Sequence, residues 1–270
     1  MNDTARLLDA ISTVQMAAPF QVPLPSESFT ATLNSLPKTL TIAYSTESPV
    51  GTPVSDEAKQ AVQDAVDFLS SEGYNMVPAD APIDGIGLMK SYYLMNAGET
   101  ATMFANMHLN DQVIKKNVEP LSWALGYAGR SITAVQYSQA LAFWDNISSD
   151  MDAFQQEFDL YLTPTTAHQA PRIDQPLVSA ENLDKMKHIE DLNPKDQMQL
   201  IWDQWLPALT LSPFTQLANI SGQPAISLPT YVGDNGLPLG IQFIARKGRE
   251  DLLLQMGKFF EDEHKFKFLK

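Results

Sequence analysis

Cysteine is absent from all 270 residues, which excludes disulfides, thiol nucleophiles and thiolate metal sites. Basic residues are scarce: 18 Lys and Arg stand against 32 Asp and Glu, a formal charge of -14. Binding to nucleic acid needs clustered Lys and Arg to neutralise phosphates, so that partner class is excluded, and the acidity reads as solubility. No apolar run reaches 18 residues, so no span of a membrane is expected. The opening MNDTARLLDA has neither the basic nor the apolar region of a secretory leader, and a cytoplasmic location is the default expectation. The four histidines, His108, His168, His188 and His264, stand far apart, and H-E-x-x-H, G-x-S-x-G and P-loop patterns are all missing. No metal or cofactor is implied.

What is present describes a packed protein. With 44% hydrophobic and 19% charged residues, the balance is that of a globular chain, read as a single domain over 1–270. Its most informative stretch is 213–245, PFTQLANISGQPAISLPTYVGDNGLPLGIQFIA. Phe214 to Ile220 reads as helix stopped at Ser221-Gly222, where glycine allows a sharp turn into a strand. Two apolar runs, Pro224 to Val232 and Leu239 to Ala245, flank Asn235-Gly236 and predict a buried antiparallel hairpin. Pro229 and Pro238 cannot donate to a ladder, so a bulge is expected near them.

Upstream, Thr39 to Tyr44 and Tyr74 to Val77 read as parallel strands joined by a helix. Ser55 is its cap, Asp56 and Glu57 suit its positive end, and Gly73 stops it. Further helices are expected over Asp3–Ser12, Gly87–Leu109, Pro120–Ala128, Ser131–Phe158, Asp196–Trp205 and Arg249–His264. Ala17 to Pro37, with its four prolines, and the polar Arg172 to Asn193 are expected as loops. The fold class is therefore α/β: a mixed β-sheet, including a strand near Asp159 to Leu162, covered by helices on both faces. Asp84-Gly85-Ile86-Gly87 lacks the third glycine of a dinucleotide fingerprint, Lys90 standing in its place, so it carries no cofactor.

Phe214, Thr215, Asn219, Gly222, Pro224, Ala225, Ser227 and Pro229, followed by Gly236, Leu237, Pro238, Gly240 and Gln242, resemble the C-terminal part of amidase signature enzymes. Asp159 to Pro171 and the helix Met1 to Ile11 are similar to further segments of that family. The resemblance implies a partial amidase signature fold, with residue 1 already downstream of the catalytic segment. Family members use a Ser nucleophile, a Ser in a cis peptide and a Lys that shuttles protons, set on a G-G-S-S-G-G type loop. No Gly-Gly pair occurs in this sequence, so no catalytic residue is carried over.

By the same resemblance the candidate substrate-binding residues are Thr165, Ser212, Phe214 and Asn219. Asn219 has a rival role as a helix-end amide satisfying buried backbone. Ser212 stands where glutamine-using members carry an acid, which counts against glutamine amidotransfer. Three readings stay open: an amidase half inactive without its partner half, a non-enzymatic interaction remnant, or an unrelated hydrolase using a histidine such as His168. The expected partners are the missing N-terminal amidase half or a second copy, the latter meeting on a face around Leu7, Leu8 and Ile11.

Overall fold

In the computed structural model, which describes residues 1–268, five strands form one sheet in the order β2-β1-β3-β5-β4. They are β1 (Thr41–Tyr44), β2 (Asn75–Pro78), β3 (Leu160–Pro164), β4 (Ala225–Val232) and β5 (Pro238–Ala245). β1 lies parallel to both β2 and β3, with Ile42 opposite Met76 on one side and Leu160 on the other. β5 runs antiparallel to β3 and β4. The sheet is mixed, as the sequence predicts, and helices cover both faces.

One face carries α3 (Asp56–Ser71) and α11 (Glu250–Asp262). Ala61, Val62, Ala65 and Leu69 of α3 and Leu252, Leu253, Met256 and Phe260 of α11 pack on Ile42, Leu160, Leu162, Ile241 and Phe243. Burying each large apolar side chain of this set is worth about 1.5–3 kcal/mol. The opposite face carries α4 (Gly85–Asn106), α6 (Pro120–Gly129), α7 (Ala134–Glu157), α9 (Pro194–Leu211) and α10 (Gln216–Ser221). Their Met89, Tyr93, Met151, Ile201 and Leu217 close over Ala43, Tyr161 and Ile244. α4 and α6 pack closely because small residues meet: a Cβ on Gly129 would lie 1.9 Å from the Ala97 carbonyl oxygen.

Local chemistry explains the boundaries. The Ser55 hydroxyl accepts from the Ala58 amide to cap α3, and Asp84 does the same for Gly87 at the start of α4. Gly222 ends α10 in the left-handed region at φ 71°, where other L-residues are disfavoured, and turns the chain into β4. The register of β4 against β5 shifts between Leu228 and Tyr231, around Pro229.

Several expectations need correction. β4 is buried on one face only: Leu228 lies in the core, whereas Ala225, Ser227 and Pro229 are exposed along the other face of this edge strand. In the hairpin turn only Gly236, at φ 78°, is left-handed; Asn235 instead accepts from the Leu237 amide and donates to Gln169. The stretches read as loops contain α2 (Phe29–Thr32) and α8 (Ala180–Lys187), with a 3-10 turn at Ile189–Asp191. α5 (Asp111–Asn117) lies in a gap between the expected helices. Met186 and Ile189 are buried against Phe104, Trp123 and Leu200, so a few apolar residues suffice to dock a polar segment. Among the described residues no helix is long and apolar enough to cross a membrane. In α1 (Asn2–Ile11), Leu7 and Ile11 are 66% and 69% exposed, while Leu8 packs partly against Ala5, Phe29, Leu33 and Leu254.

Candidate functional site

The parallel strands leave their carboxyl ends on one side of the sheet, and the chain order reverses between β1 and β3. In open α/β sheets, crevices outside such a reversal are where ligands bind. A cavity of ≈190 Å³ opens there. Glu47, Ser48 and Pro49 come from the loop after β1, and Asp80, Ala81 and Ile83 from the loop after β2. Tyr161 and Thr163 of β3, Phe214, Leu217 and Ile244 complete it.

The polar groups of this cavity are held by one another. The Ser45 hydroxyl donates to Asp80 at 2.5 Å and accepts from the Glu47 amide at 3.0 Å, which ties the two loops together. Tyr161 Oη accepts from the Ala81 amide at 3.4 Å. Burial pushes the Tyr161 phenol up to about 12, so at neutral pH it remains a hydrogen-bond donor. The loop after β1 is pinned from below: a Cβ on Gly85 would stand 2.0 Å from the Pro49 carbonyl oxygen. Gln242, buried in β5, donates to Thr163 Oγ1 at 3.4 Å and to the Phe214 carbonyl at 3.3 Å. It thereby fastens the segment entering α10 to the end of β3.

Of the four residues picked from the sequence, only Phe214 lines this cavity; it is buried. Thr165 sits just beyond β3, its hydroxyl 2.7 Å from that of Ser227 and its amide bonded to the Gly240 carbonyl. Ser212 ends α9, 3.4 Å from the Thr215 hydroxyl. The Ala167 amide, bonded to the Leu211 carbonyl at 2.8 Å, draws the Thr165 loop and the Ser212 segment to the same end of the sheet. Asn219 stands apart, exposed on the outer side of α10, so it satisfies no buried group and lines no cavity described here.

The His168 ring bonds to the Pro53 carbonyl at 3.0 Å, a contact between two loops rather than one with a hydroxyl nucleophile. No cluster of three or more His, Asp or Glu able to hold a metal occurs among the described residues. Asp152 pairs with Arg246 at 2.8 Å.

Sequence reasoning missed Glu47, Asp80 and Tyr161, which lie far apart in the chain and meet only through strand register. It also missed a buried amide cluster behind Ile244 of β5. There the Gln223 amide donates to Gln155, the Ser221 hydroxyl donates to Gln223 at 2.8 Å, and Gln155 donates to the Ile244 carbonyl at 3.3 Å. The signal available for the first group was positional: loops that follow parallel strands flanking a reversal.

A family model described as Amidase matches residues 1–254. The chain belongs to the amidase family. It is 48% identical over 229 residues to the lipoamidase of Enterococcus faecalis, covering 83% of this chain and 31% of that protein. It is 26% identical over 272 residues to the 6-aminohexanoate-cyclic-dimer hydrolase of Pseudomonas sp. (strain NK87), covering 97% and 51%. A solved structure of 6-aminohexanoate cyclic dimer hydrolase superposes with TM-score 0.78 at 25% identity, covering 97% of this chain and 53% of that one. The chain thus spans about half, or less, of the length of these relatives.

Proposed function

We propose that these residues form the substrate-facing C-terminal part of an amidase that hydrolyses a linear carboxamide on an acyl chain. Its Ser, Ser and Lys machinery lies in an N-terminal half outside the 270 residues. One observation carries this reading: a family match over residues 1–254 in a chain that contains no Gly-Gly pair and so no family nucleophile loop. Identity of 48% to a lipoamidase, against 26% to the cyclic-dimer hydrolase, supports a linear acyl amide over a cyclic one.

The cavity suits the task in physical terms. Ile83, Phe214, Leu217 and Ile244 provide apolar wall for a hydrocarbon chain, while the Tyr161 hydroxyl is a protonated donor beside it. The carboxylates of Glu47 and Asp80 at its edge favour a neutral amide over the carboxylate that hydrolysis releases, which aids product departure. In this reading Phe214 contacts substrate, and Thr165 and Ser212 shape the rim. Chemistry remains with the absent nucleophile and base, because an oriented nucleophile supplies most of the gain in acyl transfer. This chain alone is therefore expected to be inactive.

The same reading requires a cover for the exposed side of β4 and for Leu7 and Ile11. That cover is the N-terminal half where it is present and a second copy of this chain where it is not. Apolar surface left in water costs about 25 cal/mol per Å².

The test is hydrolysis by the natural protein of a lipoylated lysine amide and of 6-aminohexanoate cyclic dimer. The expected result is a higher kcat/KM for the linear amide, with Phe214→Ala raising KM more than it lowers kcat. Preference for the cyclic dimer sinks the substrate assignment. Turnover of neither, with an N-terminal half present, favours the non-enzymatic remnant instead.

A further inference from the structure

A second cavity, of ≈460 Å³, shares no lining residue with the first and lies among α4, α6, α7 and α9. Leu94, Ile132, Met198 and Trp202 give it an apolar wall, and Lys90 and Lys195 stand on it. In a chain of charge -14, a cavity lined by two lysines and no carboxylate is unusual. Neither lysine has an acidic side chain within 4.0 Å among the described residues, while nine ion pairs form elsewhere. Lys90 Nζ lies 5.3 Å from the centroid of the Trp202 ring, a contact that holds a cation over the cavity wall. The amides of Lys195 and Asp196 at the start of α9 are already taken by the Asn193 side chain, so the lysine charges carry the attraction rather than free backbone donors.

An independent observation points the same way. Tyr93 lines this cavity and is 1% exposed, yet its hydroxyl has no hydrogen-bond partner among the described residues. Its ring packs 4.7 Å from that of Trp205, whose indole Nε1 is likewise buried and unpartnered. Leaving a buried donor unsatisfied is costly, so the Tyr93 hydroxyl, on a residue of the cavity wall, calls for an acceptor. Burial also raises the Tyr93 phenol above its ordinary range, which keeps it a donor.

We propose that this cavity binds an amphipathic organic anion, a carboxylate on a short apolar body, with Lys90 and Lys195 on the head group and Trp202, Met198 and Leu94 on the tail. The Tyr93 hydroxyl donates to the carboxylate end. The site is separate from the amide-hydrolysis cavity and does not depend on that assignment.

The experiment is isothermal titration of the natural protein with sodium octanoate, with octylamine and inorganic phosphate in parallel. Octanoate is expected to bind saturably at one site, octylamine and phosphate at least tenfold more weakly. Lys90→Gln with Lys195→Gln should weaken octanoate at least tenfold, and Tyr93→Phe about fivefold, with melting temperatures of the lysine variant unchanged. The two lysines are exposed and unpaired, so their replacement leaves the fold intact. Absence of saturable octanoate binding overturns the proposal, and so does equal binding of octylamine. Octanoate binding that the double lysine variant leaves untouched does the same. Phosphate binding as tight as octanoate overturns the role of the apolar wall.

Discussion

Replacing Gly85 by alanine tests how the loop beside the first cavity is held. Backbone propensity alone favours the change, though by less than the ~1 kcal/mol of a helix interior, because Gly85 is the first residue of α4. The structure reverses the sign. The new methyl would sit 2.0 Å from the Pro49 carbonyl oxygen, 2.6 Å from its carbon and 2.9 Å from its Cβ. Two of those three atoms are backbone, so no side-chain rotation relieves the contact. Overpacking of this kind costs about 1–3 kcal/mol. Pro49 also belongs to the loop held by Ser48, whose hydroxyl accepts from the Val50 and Thr52 amides at 3.3 Å, so relief requires that loop to move as a unit. With a urea slope of about 3 kcal/mol/M, the midpoint should fall by about 0.3–1 M at unchanged slope. A Gly85→Ala protein with the wild-type midpoint, or a higher one, would refute the close approach of α4 to the β1 loop.

Three further outcomes follow from named groups. The Tyr161 phenol is held up to about 12 in the fold against an ordinary 10.0; above pH 10 the unfolded chain loses a proton that the native one keeps. Stability contributed by this group is thus full below pH 10 and falls as pH rises towards 12, by on the order of 3 kcal/mol. Tyr161→Phe should flatten that part of a stability–pH profile followed by circular dichroism, and an unchanged slope counts against burial of the phenol. Gln223→Ala strands Gln155 and Ser221, both buried, and should cost about 1–3 kcal/mol in chemical denaturation; a loss below a few tenths contradicts the buried amide cluster. Light scattering across a concentration series of the isolated 270-residue chain should reveal self-association, and Leu7→Gln with Ile11→Gln should abolish it. A strict monomer at high micromolar protein contradicts the proposed cover.

Legibility of the fold followed the range of the interactions that decide it. β1, α3 and β2 could be read because Ser55, the α3 apolar stripe and Gly73 are local signals. Gly222 and Pro229 likewise mark the α10 corner and the β4 irregularity through their own backbone restrictions. Residues 172–193 misled because α8 rests on contacts from Met186 and Ile189 to other helices, which a polar local sequence does not display. The hairpin's apolar runs suggested burial, but β4 is an edge strand, and Ile226, Leu228 and Tyr231 turn inward to the α3 and α11 side while Ala225, Ser227 and Pro229 face out. For the site, a motif resemblance led to Phe214 and to the neighbourhood of Thr165 and Ser212. Asp80, Glu47 and Tyr161 carry no motif and become a group only when β1, β2 and β3 align. Asn219 was drawn in by motif position alone, and the helix turns it outward.

In the proposed reading this chain supplies the acyl-binding wall of an amidase and not its nucleophile. The direct measurement is release of lipoate from a lipoylated lysine amide by the purified 270-residue chain, alone and after reconstitution with the N-terminal amidase half bearing the Ser, Ser and Lys residues. No saturable turnover is expected from the chain alone, and turnover on reconstitution is expected to weaken with Phe214→Ala. Saturable hydrolysis by the chain alone that survives repurification and is lost on His168→Ala or Ser221→Ala would contradict that reading.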